Sequence, residues 1–145
     1  MSTAPLADRQ RSIAAGMLGL EKAPSSDFEA MRLVRDRLQP PVIAALQAAG
    51  VDQAVLSRII PRRTLEHRRQ KGEALSLEES ERAYRTASIL ALAEAVFDSR
   101  DKALAWLTTP KRRFEGERPM DVLETELGAR LVEEALVQID EGYFG

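Results

Sequence analysis

Apolar residues recur at helical spacing along this chain, in short bursts punctuated by proline, glycine and capping residues. Phe28, Met31, Val34 and Leu38 fall three or four apart, which predicts a helix from Ser26 or Asp27 that Pro40-Pro41 stops. Pro41 suits the first turn of the next helix, which carries Val42, Ile43, Leu46 and Ala49 and ends at Gly50. Asp52 is a good N-cap for a short helix through Ala54, Val55, Leu56, Ile59 and Ile60. Pro61 breaks it, and another short helix follows from Arg62 or Arg63 to about Lys71, terminated by Gly72. Two short helices joined by a tight turn, the second loaded with arginine, make a helix-turn-helix pattern.

Ser76-Leu77-Glu78-Glu79 reads as a capping box, in which hydroxyl and carboxylate satisfy free amides of the first turn. The helix it opens is the longest, running to about Phe97. Ile89, Leu90, Ala93, Val96 and Phe97 form one apolar stripe, and Tyr84, Ala87, Ala91 and Ala95 a second face. A helix apolar on so many sides is a central core helix or a subunit interface. Ser99 caps a helix through Ala103, Leu104, Trp106 and Leu107 that Pro110 closes, and Pro119 starts a short one ending near Thr125. The last helix has the cleanest period, with Gly128, Leu131, Val132, Ala135, Leu136 and Ile139 on one face. Gly128 in that stripe predicts a close approach of two backbones.

No stretch alternates with period two, so the fold class is all-α. Residues 1–26 read as a flexible N-terminal arm, because Pro5, Pro24 and Ser25-Ser26 frame the apolar Ile13, Met17, Leu18 and Leu20. Residues 27–98 then form a helix-turn-helix bundle for DNA binding and dimerisation, joined by the long helix to a small helical domain over 99–145.

Composition bounds the class. The chain has 145 residues, 44% of them hydrophobic and 30% charged, with 5% aromatic. That is enough to bury a core built mainly of aliphatic side chains. No apolar run is long enough to span a bilayer, and no secretory leader is visible, so no membrane partner is expected. The absence of cysteine suits a reducing cytoplasm.

The net charge of −2 hides a sharp asymmetry. From Arg58 to Lys71 six basic residues face Glu66 alone, a net +5. From Asp121 to Glu141 seven acids face Arg130 alone, a net −6. One segment suits a polyanion and the other repels it. No phosphate-binding glycine loop, nucleophile elbow or metal-ligand spacing is present, so neither catalysis nor a cofactor is expected. His67, the one histidine, has no ligand partners around it and reads as an ordinary recognition-helix residue.

The run Arg63-Thr64-Leu65-Glu66-His67-Arg68-Arg69, the segment Leu75 to Arg82, and the series Trp106-Leu107, Pro110, Gly116, Pro119, Leu123, Thr125, Gly128, Val132, Gly142 and Phe144 resemble the Xre/MbcA/ParS-type antitoxins. The resemblance covers about Val42 to Gly145; the N-terminal arm has no counterpart in it. It implies an Xre-like DNA-binding region followed by a toxin-binding domain. It further implies a bacterial type II pair whose toxin is a RES-domain, NAD-consuming protein, neutralised by direct binding. Repression of the shared operon, a homodimer and larger assemblies with toxin are implied as well.

On this reading DNA contact falls to Arg62, Arg63, Thr64, His67, Arg68, Arg69 and Lys71. Arginine reads guanine bidentately, and phosphate contacts set register. Toxin contact falls to Trp106, Leu107, Pro110, Glu126, Gly142, Tyr143, Phe144 and Gly145, although Trp106 taken alone reads as a core residue. The terminal Tyr143-Phe144 pair either folds back on its own domain or enters the toxin's cleft and obstructs NAD. Two other classes stay open: a helix-turn-helix regulator with a dimerisation or ligand-sensing C-terminal domain and no toxin, and a structural adaptor.

Overall fold

The computed structural model describes residues 4–142, and within them every regular element is helical. In chain order these are α1 (Leu6–Leu18), α2 (Asp27–Arg35), α3 (Pro41–Ala48), α4 (Gln53–Ile59) and α5 (Arg62–Lys71). Then come α6 (Leu77–Phe97), α7 (Arg100–Thr108), a 3-10 turn at Arg112–Phe114, α8 (Pro119–Val122) and α9 (Glu126–Asp140). The starts follow local capping chemistry. The side chains of Ser26, Asp52, Ser76, Ser99 and Thr125 each accept from a backbone amide in the first turn of the helix they precede. At Ser76 the capping box is complete, with Glu79 accepting in return from the Ser76 amide at 2.7 Å.

The long α6 is the axis of the molecule. From Ile89 to Ala93 five consecutive residues are buried, so the helix is enclosed on every side there. It is a core helix, wrapped by α1, α2, α7 and α9. One continuous hydrophobic cluster runs from Met17 and Leu18 through Leu46, Ile59 and Leu90 to Leu107, Met120 and Leu136. The helix-turn-helix bundle and the C-terminal domain therefore share a core through α6.

The expected flexible arm is corrected over residues 4–26. α1 is a helix that packs along α6 and buries Ala14, Ala15, Met17 and Leu18. The Gln10 amide nitrogen donates to the Ser88 hydroxyl at 2.9 Å and to the Ser88 carbonyl at 3.0 Å. Alanines let the two helix axes come close, and the apolar side of α6 requires a cover. The α2 stripe is corrected as well. Phe28 is 63% exposed beneath the Arg32 guanidinium, and the only buried residue of that helix is Ala30.

Gly128 does what its place in the stripe implied. A Cβ there would stand 1.8 Å from the Val122 carbonyl oxygen, so α8 and α9 meet backbone to backbone. The C-terminal helix can turn back on α6 only because that position carries no side chain.

Candidate functional site

The α4–α5 elbow is two residues long. Ile60 and Pro61 connect the helices, and buried Ile59, Ile60 and Leu65 tie the corner to the core. Arg82, one turn into α6, fixes it from behind, with Nε and Nη2 donating to the Ile59 carbonyl at 3.0 and 2.9 Å. That closes the last turn of α4 with a charged donor. Sequence reasoning missed this residue, since nothing local marks an arginine 23 positions away as the clamp of a turn.

With Leu65 inward, α5 turns Arg62, Arg63, His67 and Lys71 to solvent. Among the described residues Arg62, Arg63 and Lys71 have no ion-pair partner. Thr64 is half-buried and does not cap the helix; Pro61 occupies the cap position without a side-chain bond. The amides at the start of α5 are left without a side-chain acceptor, as an anion-accepting helix start requires.

Arg68 is paired within the chain. Its Nε and Nη2 each donate at 3.2 Å to the two carboxylate oxygens of Glu79, and Nη1 reaches Glu73 at 3.4 Å. It points back to α6, where the Glu79 side chain is only 8% exposed. Burial pushes the Glu79 carboxyl up, but Arg68 and the Ser76 amide outweigh it and hold the group below the ordinary carboxylate range. Arg68 braces α5 against α6. Arg69 stays exposed, with Glu66 at 3.9 Å as a weak neighbour.

Arg58 is also neutralised within the chain. Its Nη2 donates to Asp121 Oδ1 at 2.8 Å, joining α4 to α8. Arg118 donates to both Asp121 oxygens at 2.8 and 3.0 Å and to Asp52 at 3.1 Å. Asp52 is the N-cap of α4. Both ends of the first helix of the elbow are thus tethered to the C-terminal domain. Hydrogen bonds from Arg118, with those from Arg58, outweigh burial and hold the Asp121 carboxyl down at about 2. The basic run of the sequence is therefore narrower in space, centred on Arg62, Arg63, Arg69 and Lys71.

In the C-terminal domain, Trp106 is half-buried, 6.1 Å from the Phe97 ring, with the Lys111 ammonium 5.2 Å from its centroid. Burial pushes the Lys111 amine down. Leu107 is fully buried and holds α7 in the core. Pro110, Glu126 and Gly142 are exposed. Tyr143, Phe144 and Gly145 lie outside the described residues. Among the described residues no helix is long and apolar enough to cross a membrane, and no His, Asp or Glu cluster is placed to hold a metal.

Two domain families match this layout. Residues 29–88 match the antitoxin Xre-like helix-turn-helix domain, which contains the α4–α5 elbow. Residues 92–142 match the antitoxin Xre/MbcA/ParS C-terminal toxin-binding domain. An "Antitoxin Xre" of Pseudomonas putida is 43% identical over 120 residues, covering 82% of this chain and 76% of that protein. The chain belongs to the Xre/MbcA/ParS antitoxin family.

An "Antitoxin Xre" of Yersinia enterocolitica is 34% identical over 99 residues, covering 66% of this chain and 67% of its own length. Membership in this antitoxin family assigns DNA to the helix-turn-helix half and a toxin to the other. The boundary between the two matches falls inside α6, the helix whose core both halves share.

Proposed function

We propose that this chain is the antitoxin of a type II pair that neutralises a RES-domain, NAD-consuming toxin by direct binding and represses its own operon. Operator contact is through the outer face of α5, by Arg62, Arg63, His67, Arg69 and Lys71, with Thr64 near the phosphates. Toxin contact is through residues 99–145, including Pro110, Glu126, Gly142 and the terminal Tyr143-Phe144-Gly145, which obstructs the NAD site. A homodimer presents two α5 helices to a two-fold operator, and larger assemblies form with toxin. The observation that carries the reading is the pairing, in one chain, of unpartnered arginines on α5 with a matched toxin-binding domain. DNA and that acidic domain demand opposite charge, so each partner is steered to its own half.

The test is co-expression with the adjacent reading frame. Alone, the neighbour is expected to arrest growth and deplete cellular NAD; with this chain, growth and NAD recover. Deleting residues 143–145 is expected to restore toxicity with helicity and operator affinity intact. A harmless neighbour, or one unaffected by this chain, overturns the reading. Operator binding with a harmless neighbour indicates a regulator without a toxin.

A further inference from the structure

Within the matched toxin-binding domain nearly every large aliphatic side chain is at least partly turned into the core, where Leu107, Met120, Leu123, Val132 and Leu136 are buried. Two are not. Leu127 is 65% exposed and Leu131 is 46% exposed. They stand one helical turn apart on α9, the spacing at which side chains touch on a helix surface. Leu131 belonged by sequence to the inward stripe of this helix; its place beside Leu127 at the surface is visible only in the fold. An isolated exposed leucine needs no explanation. A pair at one-turn spacing on this domain is a different matter, because α9 already packs on the core through Gly128, Ala129, Val132, Ala135 and Leu136. The two leucines add nothing to that contact.

Their surroundings say what fits over them. The same line of α9 continues to Glu134 and Gln138, with Glu124 and Glu126 at its start and Arg130 on its flank, all exposed, so acids outnumber the one arginine of α9 beside the ridge. This surface repels DNA. It also disfavours a second copy, since an isologous contact along this line would bring Glu124, Glu126 and Glu134 of both copies together with only one Arg130 each to offset them. We propose that the Leu127–Leu131 ridge of α9 is the anchor by which the toxin is held, seated in an apolar depression on the toxin rimmed by lysine or arginine. This rests on the antitoxin reading above and names the surface that serves it. The mode is helix-in-groove recognition, with anchors at i and i+4 and acids flanking them to speed encounter.

The experiment uses the full chain and the purified protein of the adjacent reading frame. The double variant Leu127→Gln, Leu131→Gln keeps helix propensity and removes the apolar ridge. It is expected to bind that protein at least about tenfold more weakly, mainly through faster dissociation, with circular dichroism, Tm and operator affinity at wild-type values. Glu134→Gln is expected to slow association and to flatten its salt dependence. Leu131→Ala alone, a truncation at an exposed position, is expected to weaken binding in the same direction and serves if the double variant misfolds. Undiminished affinity in the folded variants overturns the ridge while leaving the antitoxin reading standing. Loss of self-association with toxin affinity unchanged assigns the ridge to a second copy and also overturns it. A wild-type chain that fails to bind the neighbour overturns the antitoxin reading itself.

Discussion

The Arg58 guanidinium donates to the Asp121 carboxylate at 2.8 Å across 63 residues of sequence, and so the first helix of the DNA-binding elbow is tied to the domain assigned to the toxin. Arg118 shares the same carboxylate and reaches on to Asp52, the cap of that helix. Three side chains held between about a quarter and a third exposed form a bridge that water screens only in part.

Asp121→Asn removes the shared charge and is expected to lower stability by about 1–2 kcal/mol at neutral pH, measured by urea unfolding. The acid side follows from the folded-state value of about 2 against an ordinary 3.8. The contribution is fully present above about pH 4 and is lost as the pH falls toward 2. Wild type should therefore lose its excess over Asp121→Asn in that window. Parallel pH curves for the two proteins would show that the bridge adds no net stability.

Arg68→Ala and the pair Arg62→Ala, Arg63→Ala should separate cleanly, although all three positions belong to one basic run. Removing Arg68 leaves the buried Glu79 carboxylate with its capping bonds but without its cation, at an expected cost of about 2 kcal/mol. The outward pair should leave Tm unchanged, weaken operator binding, and reduce the slope of log affinity against log salt by about 2. Anisotropy titrations at several salt concentrations read both quantities. An unchanged slope for the outward pair removes α5 from the DNA interface.

Two glycine-to-alanine substitutions should have opposite signs. At Gly16 in α1 an added Cβ meets nothing within 4 Å, so helix propensity decides and a gain of about 0.5–1 kcal/mol is expected. At Gly128 the added carbon meets the Val122 carbonyl backbone, which cannot swing aside as a side chain can. A loss of about 2–3 kcal/mol is expected there despite the same propensity gain. Thermal unfolding followed by circular dichroism compares them directly.

Leu18→Ala tests whether the N-terminal segment is part of the fold. Leu18 is 3% exposed, so its truncation should cost about 2–3 kcal/mol. A chain whose first helix were a detached arm would not register the change. Equal unfolding midpoints for wild type and Leu18→Ala would contradict the packing of α1 on α6.

Eight of the nine α-helices among the described residues, α2 to α9, and most of their starts were legible because capping is local. Ser26, Asp52, Ser76 and Ser99 act within three residues of themselves, and a reader of the chain sees both partners at once; Thr125, read as the end of a short helix, is instead the N-cap of α9. The helix-turn-helix pattern was legible for the same reason. α1 was misread because its evidence is not local: alanines and methionine look indifferent until the apolar flank of α6, some 80 residues on, is laid against them.

The sequence alone determined an all-helical chain, its punctuation, and a cationic stretch distant from an anionic one. All of that is chemistry within a turn or a count over a window. Tertiary structure decided which charges remain available. It withdrew Arg58 into a pair with Asp121 and Arg68 into one with Glu79, and left Arg62, Arg63 and Lys71 outward. It also set Leu127 and Leu131 on the surface of a helix whose period alone would have sent Leu131 inward. The physical reason is common to both. A side chain's environment is fixed by which element packs against it, and that choice is made by the whole core at once.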